Sequence, residues 1–211
     1  MNNQVFIKDL TSEEQNEILK FICDKFTIND PEKFKRFYSV MIEYIKTVRR
    51  NVPTFCENVN QIIELLSNCN YDNDQIIEML TKEPSLLHAN KNDLFWRMLI
   101  LGKVHDTKNG GTVRDVYLVQ NPRILRISQD LMYSRIKYLE SDIGKQCLRK
   151  DQGPTARQIT KITNEEFKNS YGVDKDILIK RYPFNNNAQL DVVSWEENKE
   201  LLNNIYNKGT K

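Results

Sequence analysis

The sequence predicts an all-α protein, a right-handed-type helical repeat solenoid whose units turn at proline corners. Three observations predict it. Apolar residues recur at helical spacing along most of the chain, and only 7 Gly and 6 Pro punctuate its 211 residues. The third is a pattern that occurs twice, a proline followed two residues later by an aliphatic pair. In KEPSLLHAN, residues 82–90, Pro84 precedes Leu86-Leu87; in QNPRILRIS, residues 120–128, Pro122 precedes Ile124-Leu125, 38 residues further on. Serial units of 30–40 residues that cannot bury their own apolar faces stack into solenoids.

The elements follow in order. Ser12, with Gln15 three residues on, reads as a capping box ahead of Ile18, Leu19, Ile22 and Phe26. Asp30 caps the next helix and Pro31 occupies its first position, where a missing N–H is harmless. In that helix Phe34, Phe37, Met41, Tyr44, Ile45 and Val48 fall within one arc of about 100°, with Lys35, Lys46, Arg49 and Arg50 on an adjacent arc. Asp72 caps a helix holding Ile76, Ile77, Met79 and Leu80, which Pro84 ends because its ring clashes with the preceding turn. Asn90, six residues after the proline, caps a helix with Leu94, Met98 and Leu101. The second copy runs from Thr112 through Val116, Leu118 and Val119 to Pro122; Ser128 then caps Met132, Ile136, Leu139 and Ile143. A third corner is read at Pro53, trailed by Phe55-Cys56, and a degenerate fourth at Pro183, preceded by the Thr163–Glu166 capping box and Ile177, Leu178 and Ile179. The expected organisation is an N-terminal capping helix (1–32), three repeats (33–149), a linker (150–162) and a C-terminal repeat or cap (163–211).

This arrangement resembles the mitochondrial transcription termination factor (mTERF) repeat. DNDQIIEMLTKEPSLLHANKNDLFWRMLILGKV is the closest stretch and TVRDVYLVQNPRILRISQDLMYSRIKYLESDIG the next. The resemblance implies an all-helical superhelix of triangular three-helix units, with a positively charged groove that binds duplex DNA or RNA.

Charge supports the same expectation. The formal net charge is only +2, but residues 112–150 hold 8 basic and 4 acidic side chains, against 14 and 16 in residues 1–111. Arg123, Arg126, Arg135, Lys145, Arg149, Lys150 and Arg157 therefore form one candidate phosphate-binding strip, and Lys35, Lys46, Arg49 and Arg50 a second. Lys137, pointing away from the apolar face of its helix, reads as plain surface. An acidic protein partner on the same surface is the alternative. Trp96 and Tyr133 read as inter-repeat packing ahead of base stacking.

Other chemistries lack their residues. Cys23, Cys56, Cys69 and Cys147 are scattered, without the clustered spacing of a zinc site. NYDNDQ lacks the Gly and terminal Glu of a calcium loop, and in KNGGT the lysine precedes the glycines, contrary to a phosphate-binding loop. His88 and His105 sit in no nucleophile motif. The expectation is a non-enzymatic protein with no cofactor, metal or small-molecule substrate. No apolar run reaches the ~18 residues of a membrane span, and MNNQVFIKDLTSEEQ is no signal peptide, which makes the cytoplasm the expected location.

Overall fold

A computed structural model of the chain describes residues 5–102, 104, 112–146, 158–159 and 163–185. Two compact units emerge, Met1–Lys91 and Asn92–Lys211. The division falls inside the stretch 33–149 that the sequence reads as three repeats, at the start of a helix.

In the first unit the chain enters through a 3-10 turn, Ile7–Asp9, tied to the segment after the second helix by Ile7 N–H to Arg50 O (2.9 Å) and Lys8 N–H to Val48 O (3.0 Å). Helix α1 is Ser12–Cys23, and its cap is Thr11 with Glu14 rather than Ser12 with Gln15. Both pairs have the box spacing, but only the earlier hydroxyl sits outside the helix, where it accepts from Glu14 N–H. Helix α2, Pro31–Ile45, starts as expected from Asp30, whose carboxylate accepts from Glu32 and Lys33 N–H. Phe37, Met41, Tyr44, Ile45 and Val48 are buried, whereas Phe34, in the first turn of the helix, is 41% exposed. Helix α3 is Val52–Asn68 and α4 Asn73–Lys82; between them Asn70 takes a positive φ of 61°, a conformation Asn tolerates better than most residues. Asp72 and Gln75 complete the box on α4.

Pro84 ends α4 and opens a 3-10 turn, Pro84–His88, that drives Leu86 and Leu87 into the core against α3. The residue before the proline, Glu83, sits at φ −145°, ψ 75°, outside the helical region that a following proline disfavours. Pro53 does not build a corner. It lies in the first turn of α3, behind the cap Asn51, whose side chain accepts from Thr54 N–H. There a proline starts a helix, just as Pro31 does.

The second unit repeats the local pattern. Helix α5 (Lys91–Gly102) buries Leu94, Met98 and Leu101, and the short α6 (Val113–Tyr117) is capped by Thr112. Pro122 then opens the 3-10 turn Pro122–Arg126, with Asn121 at φ −139°, ψ 65°, and Ile124 and Leu125 buried. The hydrogen bonds match one for one at an offset of 38 residues. Leu86 N–H to Glu83 O and Ile124 N–H to Asn121 O are both 3.2 Å; Ala89 N–H to Leu86 O is 2.9 Å and Ile127 N–H to Ile124 O is 3.2 Å. Helix α7 (Gln129–Glu140) is capped by Ser128 and followed by α8 (Asp142–Gln146), which approaches it so closely that a Cβ on Gly144 would meet Tyr138 O at 2.0 Å. That break leaves Ile143, read from sequence as part of the apolar face of α7, 49% exposed.

Helix α9, Asn164–Tyr171, carries the expected Thr163–Glu166 box and ends on Gly172 at φ 70°, a left-handed cap that glycine takes without strain. Helix α10, Lys175–Arg181, lies on α7 through Leu178, while Ile177 is 58% exposed. Tyr182, ahead of Pro183, has φ −128° and ψ 66°, the same bend as at the other two corners. Helices thus form the framework of both units, and among the described residues none is long and apolar enough to cross a membrane.

Truncating a corner leucine should therefore act as a core deletion. Leu87→Ala and Leu125→Ala are each expected to lower unfolding free energy by about 2–5 kcal/mol. Ile143→Ala and Ile177→Ala should stay within about 0.5 kcal/mol. Urea unfolding of the four variants checks this, and equal losses at all four positions would contradict the corner register.

Candidate functional site

A 3-10 turn of five residues leaves carbonyls that no helix of its own satisfies. In both corners a side chain from an earlier helix takes them. Asn58 on α3 donates through Nδ2 to Leu87 O (2.7 Å) and Ala89 O (3.0 Å). Arg97 on α5 donates through Nη1 to Leu125 O (2.6 Å). Leu87 and Leu125 are equivalent under the 38-residue offset. At the Pro183 bend the Ser134 hydroxyl of α7, also 2.6 Å from Asp130 O, reaches Tyr182 O at 2.8 Å. Sequence reasoning missed these three residues. The signal was present: each is a polar residue within an apolar stripe, Asn58 between Phe55 and Ile62, Arg97 between Leu94 and Leu101, Ser134 between Leu131 and Tyr138.

The second corner presents the candidate contact. Ile124 and Leu125 point inward and are buried, which sends the flanking Arg123 and Arg126 outward, and both are exposed. The equivalent positions of the first corner are Ser85 and His88. There the chain is engaged internally: the Ser85 hydroxyl donates to the carboxylate of the buried Glu83, the Tyr44 hydroxyl is hydrogen-bonded to His88 Nδ1, and Arg50 Nη2 donates to His88 O at 2.9 Å.

The predicted strips separate on this evidence. Arg135 does not belong to a surface strip, because it is 2% exposed. Its Nη1 donates to Ile159 O and its Nη2 to Asn164 Oδ1, both at 2.8 Å, and the guanidinium lies 4.9 Å from the centre of the Phe167 ring. It fastens α7 to the start of α9. Burial lowers its affinity for a proton, yet a guanidinium stays charged, so three polar and aromatic partners surround it. Arg50 is half-buried and committed to the first corner. Lys35, Lys46 and Arg49 are exposed, with Lys46 paired to Glu43 at 2.6 Å. The side chain of Lys145, and all of Arg149, Lys150 and Arg157, lie outside the described residues. Lys137 is exposed and paired with Glu140 at 3.0 Å.

Trp96 and Tyr133 pack as the sequence reading favoured. The Phe184 ring, just past the Pro183 bend, contacts both, with centroid distances of 5.8 Å to Trp96 and 5.4 Å to Tyr133. Cys23 is similarly drawn inward, and burial pushes its thiol up to about 11, so it stays protonated at neutral pH.

His88 makes the first corner sensitive to pH. Its ring packs edge-on against Tyr44 and Phe55, with centroids 5.2 Å and 5.8 Å away. Burial, and secondarily the Arg50 charge, hold its pKa below the usual value. The folded state therefore disfavours the imidazolium, and stability present above the unfolded pKa of about 6.5 is lost as pH falls from there through the lowered folded-state pKa. Wild-type protein should unfold at lower urea at pH 5.5 than at pH 7.5 by a margin that His88→Gln reduces. An equal pH dependence in the two proteins would contradict it. Comparisons with family models, with curated proteins and with solved structures returned no match, so the functional reading rests on the corners themselves.

Proposed function

We propose that this chain is a non-enzymatic helical repeat protein that binds duplex nucleic acid through its phosphate backbone, in transcription or its regulation. The observation that carries the reading is the second corner, where Ile124 and Leu125 are buried and Arg123 and Arg126, three residues apart on one 3-10 turn, are exposed. Guanidinium groups on a fixed base satisfy phosphate oxygens without the ordering penalty of a mobile loop. Recurrence of the same bend at Glu83, Asn121 and Tyr182 supports a solenoid of mTERF-like units. In the first unit the exposed Lys35, Lys46 and Arg49 supply further backbone contacts.

A second reading, an interaction module for an acidic protein partner, is favoured by two facts. The net charge is only +2, and Arg135 and Arg50 spend their charges inside the fold. The two readings separate in an electrophoretic shift assay with duplex DNA over a salt series. Arg123→Ala and Arg126→Ala should each weaken binding equally for unrelated sequences and lower the log–log salt slope by roughly 0.9. Arg135→Met, if it folds, should leave that slope unchanged. Failure of the unaltered protein to shift any duplex at about 50 mM salt, where phosphate contacts are strongest, would replace this reading with the protein-partner one.

A further inference from the structure

Arg97 is the best-placed cation that neither predicted strip contains. Its side chain is 16% exposed, and its Nη2 lies 3.8 Å from Asp93 Oδ2 one helical turn back. Its Nη1 is 2.6 Å from Leu125 O, while its Nε is buried without a hydrogen-bond partner among the described residues. That carbonyl belongs to the peptide unit whose nitrogen is Arg126 N. A planar peptide moves as one body, so holding the Leu125 oxygen sets the direction in which Arg126 leaves the corner.

We infer that Arg97 is a positioning residue for nucleic-acid binding, acting through the Leu125–Arg126 peptide to hold Arg126 toward the phosphate backbone. The inference rests on the nucleic-acid reading above and adds to it a residue that does not touch the ligand. Three observations favour positioning over direct contact. The guanidinium is largely covered and aimed at a backbone oxygen. The same task at the first corner falls to Asn58, which has no charge, so what recurs is the donor and not the cation. Asn58 and Arg97 each directly precede a buried residue of their helix, Val59 and Met98, so both donors are anchored at the core boundary.

The first corner also shows why an arginine stands at the second. Asn58 reaches two carbonyls there and Arg50 a third, three hydrogen bonds from two side chains. At the second corner one side chain holds Leu125 O, and a charged donor makes a stronger bond than a neutral amide. The chain thereby fixes a turn that carries two exposed, like-charged side chains.

A double-mutant cycle on duplex DNA tests this, read below the melting midpoint of every variant. Arg97→Met keeps the apolar stem and loses the donor; Arg97→Gln keeps a neutral donor and loses the charge. Arg97→Met should weaken binding about fivefold, the value of one ordinary hydrogen bond, with the salt slope unchanged. Arg97→Gln should bind within about twofold of the unaltered protein. In an Arg126→Ala background, Arg97→Met should have little further effect, because the group it positions is gone. Fully additive losses would overturn the positioning role. A salt slope lowered by roughly 0.9 in both Arg97 variants would also overturn it, by making Arg97 a direct phosphate contact. If Arg97→Met does not fold, Arg97→Gln alone decides by its slope and affinity. Should the unaltered protein shift no duplex, the nucleic-acid reading falls and this inference with it; a shift with additive losses removes this inference only.

Discussion

When a proline ends a helix, the turn that follows leaves carbonyl groups facing the interior with no helical N–H to meet them, and a buried, unsatisfied carbonyl costs about 1–3 kcal/mol. The chain meets this constraint in the same way at two corners. A side chain from a preceding helix donates to the turn, Asn58 at Pro84 and Arg97 at Pro122, while at the Pro183 bend the Ser134 hydroxyl lies between Asp130 O of its own helix and Tyr182 O, the carbonyl before the proline. The aliphatic pair can then go inward, because the backbone carrying it is already satisfied. Remove the donor and burial of Leu87 or Leu125 would bring an orphaned oxygen with it. The polar bond thus makes the apolar packing of each corner possible.

Arg135 shows the same logic at higher stakes. A guanidinium inside a unit needs acceptors or a π face around it, and here Ile159 O and Asn164 Oδ1 take Nη1 and Nη2 and the Phe167 ring lies alongside, while Nε has no partner among the described residues. Its charge is therefore used in holding α7 to α9. The outward arginines of the corner differ in kind, since their own backbone is fixed and their side chains face solvent. Two arginines nine residues apart, Arg126 and Arg135, thus stand in opposite surroundings, one exposed and one buried.

Much of the fold was legible because proline and capping residues act locally. Asp30, Asp72, Thr112, Ser128 and Thr163 cap where their chemistry says they should, and Pro84 and Pro122 bend the chain where their rings forbid helix. The errors share a cause, which is that one residue type fits two local roles. Pro53 and Pro84 look alike in a short window; what separates them is that α2 had already ended at Ile45, leaving Asn51 to cap a new helix. Thr11 and Ser12 both fit the box, and the chain enters the helix at the earlier one. The sequence reading puts Arg135 in the phosphate-binding strip, at the border of its helix's apolar face, although its spacing from Leu131 and Tyr138 places it on the buried stripe itself. The carbonyl donors were hardest to see. A lone polar residue in an apolar stripe announces that it has a partner but not which distant carbonyl that partner is.

Corners whose aliphatic pairs are buried and whose carbonyls are bonded should behave as parts of the core rather than as loops between helices. Native-state amide hydrogen exchange tests that most directly. The amides of Leu86, Ala89, Ile124 and Ile127, each bonded within its corner, should exchange as slowly as those of Ile62 in α3 and Met132 in α7. Exchange of the corner amides at the rate of an open loop, while the two helices stay protected, would contradict it.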